Sequence, residues 1–315
     1  MNPAPAKDIM KVLLTGSTGL IGTALAGELR RAGHVVCRLI RPNTSAEALG
    51  VAQGFDVTWN PATGELGGAA VGAEAVVNLA GASIAGGRWT PARKQLLRTS
   101  RTDTTRALVA ALAKMPERPR ILVSASATGY YGNRGDEVLT ENSPPGTDFL
   151  SDIARDWEAE AVKAEALGIR VVRARFGVVL SKNGGALRQM MRPFQLFVGG
   201  KLGTGCQWVS WIALDDTVNI LRLILEGNHI SGPINVVSPH PVTNADFTKA
   251  LAATMRRPAL FPAPVFALRL LLGEMSDALL LSSQRVLPSQ LQKLDYPFQY
   301  PDLRSALSFV LKKNS

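Results

Sequence analysis

Gly16, Gly19 and Gly22 fall within the run Thr15-Gly16-Ser17-Thr18-Gly19-Leu20-Ile21-Gly22. A Gly-x-x-Gly-x-x-Gly spacing suits an anion, because residues without side chains let a pyrophosphate approach the main chain. If a helix starts here, its first N–H groups point at that anion. About 20 residues further on, NAD sites usually carry an acid for the ribose hydroxyls. This chain instead offers Arg38 and Arg41, with no acid before Glu47. A guanidinium there can hold the 2′-phosphate of NADP in a fork. Arg41, just past the second apolar run, is better placed for this than Arg38, so the expected cofactor is NADP(H).

The flanking elements must place the glycines for this to work. Val12-Leu13-Leu14 reads as a buried parallel strand, and Leu20 to Ala32 as an amphipathic helix stopped by Gly33. Further strands are expected at His34–Ile40, Phe55–Trp59, Ala75–Leu79, Ile121–Ala125 and Arg170–Leu180. Pro91–Met115 and Phe149–Leu167 read as helices. This alternation predicts an α/β fold, a Rossmann-type doubly wound parallel sheet with ligands at the carboxyl ends of its strands. Asn78-Leu79-Ala80-Gly81 falls at one such end, where small residues let the backbone pass an adenosine or ribose.

The 315 residues carry a formal charge of +10, with 46% hydrophobic residues and two cysteines. Cys37 and Cys206 lack metal-type spacing, so a reducing, cytoplasmic compartment without disulfides is expected. No secretory signal is visible. The run Ala259–Leu281 is interrupted by two prolines and three charges, which makes it a poor membrane span. The basic residues are scattered along helices without an aromatic-interleaved motif, so they read as a solvated surface rather than a nucleic-acid site. The expected partner is a small-molecule substrate, with neither nucleic acid nor membrane.

The glycine turn, Asn78-Leu79-Ala80-Gly81 and the run Ser124-Ala125-Ser126-Ala127-Thr128-Gly129-Tyr130-Tyr131-Gly132 together resemble extended short-chain dehydrogenases/reductases. Other runs resemble the NAD(P)-dependent epimerase-like subgroup with its own C-terminal segment. They include Ser100-Arg101, Trp157-Glu158, Arg175-Phe176-Gly177, Gly184-Gly185-Ala186-Leu187, Gln207-Trp208-Val209-Ser210-Trp211 and Asp215-Asp216. The resemblance covers nearly the whole chain. It implies that Gly16, Ser17, Thr18, Gly19, Leu20, Ile21, Gly22, Asn78, Leu79, Ala80, Gly81 and Arg101 line the cofactor, with Arg41 at its 2′-phosphate.

In that superfamily a serine and a Tyr-x-x-x-Lys pair handle the proton. A lysine one turn away lowers the tyrosine hydroxyl from its ordinary pKa of about 10. Ser126 matches the serine. If Glu158 aligns with the acid that often follows the lysine, Leu150 and Ala154 occupy the tyrosine and lysine positions. Tyr131, or Tyr130, is then the available hydroxyl, and Lys94, Arg101 or Arg155 the available charge.

The expected organisation is an NADP-binding domain over residues 10–180 and a smaller mixed α+β substrate-side domain over 181–315, with about 208–240 returning to the core. A glycine-rich loop, Gly199–Gly205, is expected over the cleft, with Arg192 and Lys201 available to substrate phosphates. Asp215-Asp216 should cap a helix, Asn244 should cap another through Met255, and the aromatic run Tyr296–Pro301 should close the smaller domain. Two functions follow. One is an NADP(H)-dependent oxidoreductase or epimerase-like enzyme acting on a small polar or sugar-nucleotide-type substrate. The other is a catalytically weak NADP(H)-binding regulator of a protein partner, a role in cell division being suggested by the resemblance.

Overall fold

A computed structural model describes residues 9–40 and 56–312. Fourteen strands are present among the described residues: β1 (Lys11–Thr15), β2 (Val35–Ile40), β3 (Val57–Asn60), β4 (Glu65–Leu66), β5 (Ala75–Asn78), β6 (Ile121–Ala127), β7 (Val138–Leu139), β8 (Arg170–Phe176), β9 (Val178–Leu180), β10 (Trp208–Val209), β11 (Trp211–Ala213), β12 (Gly232–Val236), β13 (Val242–Thr243) and β14 (Arg285–Val286). Eight form one sheet in the order β12-β8-β6-β5-β1-β2-β3-β4, and every pair in it is parallel except β3 with β4. This is the Rossmann-type α/β sheet expected from the alternating pattern. The strand order turns around between β1 and β5, which puts the glycine turn at the crevice where ligands bind such sheets.

Both faces of the sheet are covered, which is why its strands read as nearly continuous apolar runs. On one face, helices α1 (Leu20–Arg31) and α5 (Leu214–Glu226) bury Leu25, Leu29, Ile220 and Ile224 against Val12, Leu14, Val77 and Val123. On the other, α2 (Pro91–Ala113) and α3 (Phe149–Val162) bury Leu108, Leu112 and Ala161 against Leu13, Val76 and Leu122. Each such aliphatic side chain withdrawn from water contributes roughly 1.5–3 kcal/mol. A third cluster, away from the large sheet, gathers α4 (Gly185–Gln195), α6 (Asn244–Met255) and α8 (Leu303–Lys312) around Trp211 and Phe247. Helix α7 (Val265–Leu272) buries only Leu268.

Several boundaries differ from the sequence reading. The strand expected over Arg170–Leu180 breaks at Gly177, where a Cβ would lie 2.6 Å from the Ser210 carbonyl oxygen. Beyond it, β9 leaves the large sheet and pairs with β11. Thr243, not Asn244, caps α6, its hydroxyl accepting from Asp246 N. Asn244 instead accepts the N–H of Leu202 at 2.8 Å. Asp216 does not serve its own helix start. Its two carboxylate oxygens accept Gln299 N (2.8 Å) and Tyr300 N (2.9 Å), tying the C-terminal chain down. That chain straps two cores together: Tyr296 and Phe298 pack on the large-sheet core, and Tyr300 stacks on Phe309 in the third cluster.

Candidate active site

Between β1 and α1 the backbone makes a tight turn, with Gly19 N donating to Gly16 O at 3.0 Å. Two glycines are obligatory here. Gly16 has φ +64°, and a Cβ on it would lie 2.5 Å from the Leu79 carbonyl oxygen. A Cβ on Gly22 would lie 2.2 Å from Gly16 O. Gly19 caps α1 without a side chain, so the first N–H groups of the helix face outward. Ser17 is buried, Thr18 exposed and Leu20 partly exposed, and Ile21 packs into the core below. The glycines let the turn pack directly on the Leu79 backbone and on the first turn of α1, which leaves a tight backbone turn at a helix start, the arrangement a pyrophosphate requires.

A chain of buried hydrogen bonds fixes the second wall. Thr15 Oγ1 donates to Asn78 Oδ1 (2.7 Å) and accepts Leu79 N (3.1 Å) and Ala80 N (3.2 Å). Asn78 Nδ2 donates to Thr105 Oγ1 at 2.8 Å, which also accepts Trp157 Nε1 at 2.9 Å. Asn78 is fully buried and therefore holds the loop in position, while Leu79 and Ala80 are partly buried and Gly81 is exposed. Gly81 lies against the Arg101 guanidinium, which is 9% exposed. Arg101 donates to two carbonyls, Leu97 O and Ala82 O, each at 3.0 Å. Burial, and then the nearby Arg93, pull its pKa down to about 10, so it stays charged at neutral pH. A buried cation whose hydrogen bonds go to carbonyls, beside a phosphate-type turn, fits an anionic ligand.

The arginines at the ribose end separate. Arg38 is buried and forks onto Asp56, Nε to Oδ1 at 2.8 Å and Nη2 to Oδ2 at 2.7 Å. Its hydrogen bond to Asp56 raises its pKa. Arg41, the expected 2′-phosphate residue, lies outside the described residues.

The catalytic expectations fare differently. Ser126 is at the end of β6 as the resemblance implies, but it is buried and its Oγ donates to Glu158 Oε1 at 2.7 Å. Glu158 is held by Arg175, Nε to Oε1 at 2.7 Å and Nη2 to Oε2 at 2.8 Å. Burial lowers the Arg175 pKa and the hydrogen bonds to Glu158 raise it; the second effect wins. The structure corrects the expectation for Tyr131. Its side chain is fully buried, and its hydroxyl donates to Asn235 Oδ1 (2.7 Å) and accepts Arg175 Nη1 (3.0 Å). Burial pushes its pKa up to about 12, the wrong direction for a proton donor at neutral pH. Tyr130 lays its ring on the Arg175 guanidinium at 3.5 Å. Leu150 packs toward Gly129, whose Cβ would lie 3.5 Å from Leu150 Cβ. Tyr131→Phe is therefore expected to leave cofactor affinity unchanged and to cost about 1–3 kcal/mol of stability, read by titration and urea unfolding.

Sequence reading missed the Ser126–Glu158–Arg175–Tyr131 network. Its signal was Arg173 and Arg175, two residues apart and so on one face of a strand that is otherwise apolar after Arg170: a charge inside a two-sided sheet needs a partner. Among the described residues no group of His, Cys, Asp and Glu could hold a metal ion.

The chain matches the NAD dependent epimerase/dehydratase family over residues 12–237, and a domain of unknown function, DUF1731, over 263–310. It is 42% identical over 302 residues to the epimerase family protein Mb2239 of Mycobacterium bovis, covering 95% of this chain and 97% of that one. Its fold is similar to the crystal structure of the human epimerase family protein SDR39U1 (isoform 2) with NADPH. The TM-score is 0.85 at 32% identity, covering 97% of this chain and all of that one. A structure described as a nucleoside-diphosphate sugar epimerase from Corynebacterium glutamicum gives a TM-score of 0.78 at 36% identity, covering 98% of this chain and 59% of that longer one.

Proposed function

The chain belongs to the NAD dependent epimerase/dehydratase family, and on that premise we propose that it is an NADP(H)-binding oxidoreductase or epimerase-like protein acting on a small polar or sugar-nucleotide-type substrate. The observation that carries this reading is the cradle at Gly16 and Gly22, which no residue with a side chain could form. The human relative solved with NADPH and the Corynebacterium relative described as a sugar-nucleotide epimerase support the cofactor and the substrate class respectively.

The N–H groups that open α1 hold the pyrophosphate, and the Leu79–Gly81 backbone passes the adenosine side. Arg101 adds positive charge beneath that loop, and Arg41 takes the 2′-phosphate. Bound NADPH supplies a hydride for a carbonyl carbon. The proton on the reacting oxygen is where this chain departs from its superfamily. Ser126 can polarise that oxygen only by turning its hydroxyl away from Glu158, and Leu150 and Ala154 have no ionisable proton to give. This engagement of Ser126 favours a second reading, a regulator whose affinity for a protein partner depends on NADP(H).

Two experiments separate these readings. An enzyme oxidises NADPH when supplied with a library of carbonyl compounds and sugar nucleotides, and Ser126→Ala abolishes the turnover. A regulator turns over nothing and binds its partner with an affinity that NADPH changes. Arg41→Ala tests the cofactor assignment. Loss of a charge-assisted contact worth about 1.5–3 kcal/mol is expected to weaken NADPH by roughly ten- to a hundredfold and leave NADH unchanged. Equal weakening of both would remove Arg41 from the 2′-phosphate site.

A further inference from the structure

The charge of +10 is unevenly distributed along the chain. Residues 181–214 and 247–273 together contain eight lysines and arginines and no aspartate or glutamate. The same two segments carry eight of the fourteen large apolar side chains that stand exposed among the described residues. They meet in the fold. Phe261 N donates to Gly199 O (3.2 Å), Ala263 N donates to Lys201 O (2.9 Å), and Leu202 forms an isolated parallel bridge with Ala263. The apolar residues 196–198 follow α4, while Leu260 and Phe261 lie in the stretch paired with 199–201. Immediately beyond, α7 leaves Phe266 and Leu270 each 75% exposed.

Cations stand among these apolar groups. Lys201, Lys249, Leu260 and Pro262 border a trough of about 360 Å³ on the outer side of α6. The Arg257 guanidinium sits 4.3 Å above the Phe197 ring. Phe197 itself has φ +61°, a conformation that costs a bulky residue energy, and it remains half-exposed there. Arg269 is engaged by Asp277, so Lys201 and Lys249 beside the trough and Arg257 over Phe197 supply the charge of this face.

Exposed apolar surface on this scale marks an interaction site. A second copy docked symmetrically would set these cations against their own kind, and a neutral apolar partner would leave them without counter-charges. We propose that this face docks on the surface of an anionic lipid bilayer. Phe266, Leu270 and the 196–198 and 260–261 side chains enter the headgroup–acyl boundary, and the three cations meet lipid phosphates. No helix among the described residues is long and apolar enough to cross a membrane, so the contact is peripheral. The expectation of no membrane partner is revised accordingly, because peripheral docking needs no span.

The test is flotation of the full chain with vesicles of phosphatidylcholine alone and of an equimolar phosphatidylcholine–phosphatidylglycerol mixture. At low salt the anionic vesicles are expected to bind at least about tenfold more protein. The paired variants Phe266→Ser/Leu270→Ser and Lys201→Glu/Lys249→Glu should each lose most of that binding. All four side chains are exposed or partly exposed, so unchanged thermal unfolding should accompany the loss. Equal binding to both vesicle types, no flotation with either, or variants that bind like the parent would overturn the proposal. So would a concentration-dependent dimer that Phe266→Ser/Leu270→Ser dissolves, which would assign the face to a second copy.

Discussion

Gly22→Ala is expected to reduce NADPH affinity by at least about a hundredfold, because the glycine turn approaches the phosphates with its backbone and cannot shift without losing that approach. The added Cβ would lie 2.2 Å from Gly16 O and 2.8 Å from Ser17 Cα, both backbone atoms that cannot rotate away. Either α1 moves outward or the Gly16–Gly19 turn opens, and both withdraw N–H groups from the cradle. Gly27→Ala on the same helix is the matched control, since a Cβ there meets nothing within 4 Å. It should leave affinity unchanged and stabilise the helix by about 0.5–1 kcal/mol. Calorimetric titration reads the affinity and circular dichroism the folding. A folded Gly22→Ala protein that binds NADPH like the parent would remove the turn from the cofactor site.

The largest loss of stability is expected at Glu158. Glu158→Ala leaves the Arg175 guanidinium 2% exposed with no carboxylate beside it. Breaking one side of such a buried pair costs about 3–5 kcal/mol. It also frees Ser126 Oγ of its acceptor and loosens Arg175 from Tyr131 and the Glu141 carbonyl. Removing both charges together, as Glu158→Leu/Arg175→Met, should cost clearly less than the two single changes summed, since no fully buried ion is left alone and only the part-exposed Arg173 loses its contact with Glu158. Urea unfolding of the four proteins closes the cycle. Additive losses would mean that the pair is not coupled.

The parts of the fold that were legible in the sequence are those where one physical signal decides. Val12-Leu13-Leu14 had to be buried on both sides, and the Gly16–Gly22 spacing had to be a turn against a helix start. Together they imposed a parallel sheet with its crevice at β1. The buried polar groups were not legible, because burial of a charge is decided by what covers it. Arg38 lies just ahead of the expected ribose-binding position, yet Asp56, eighteen residues on, takes its guanidinium. Arg175 falls in a largely apolar strand and so needs a partner, but nothing in its own segment identifies Glu158, which it meets only when α3 lies across β8. Tyr131 follows a strand end, where a hydroxyl would reach substrate, but Asn235 and Arg175 from neighbouring strands turn it inward. The absence of a Tyr-x-x-x-Lys pair from Phe149–Leu167 needs no fold to be noticed, since those residues contain no tyrosine at all.

Fluorescence titration of the unmodified protein with NADPH and, in parallel, NADH reads directly whether this is an NADP(H) site. Binding of NADPH at least about tenfold tighter than NADH is expected, a guanidinium at the 2′-phosphate contributing on the order of 1.5–3 kcal/mol. Equal affinity for the two would contradict the NADP(H) assignment while keeping the cradle, and binding of neither would contradict the account of this protein as a dinucleotide-binding member of its family.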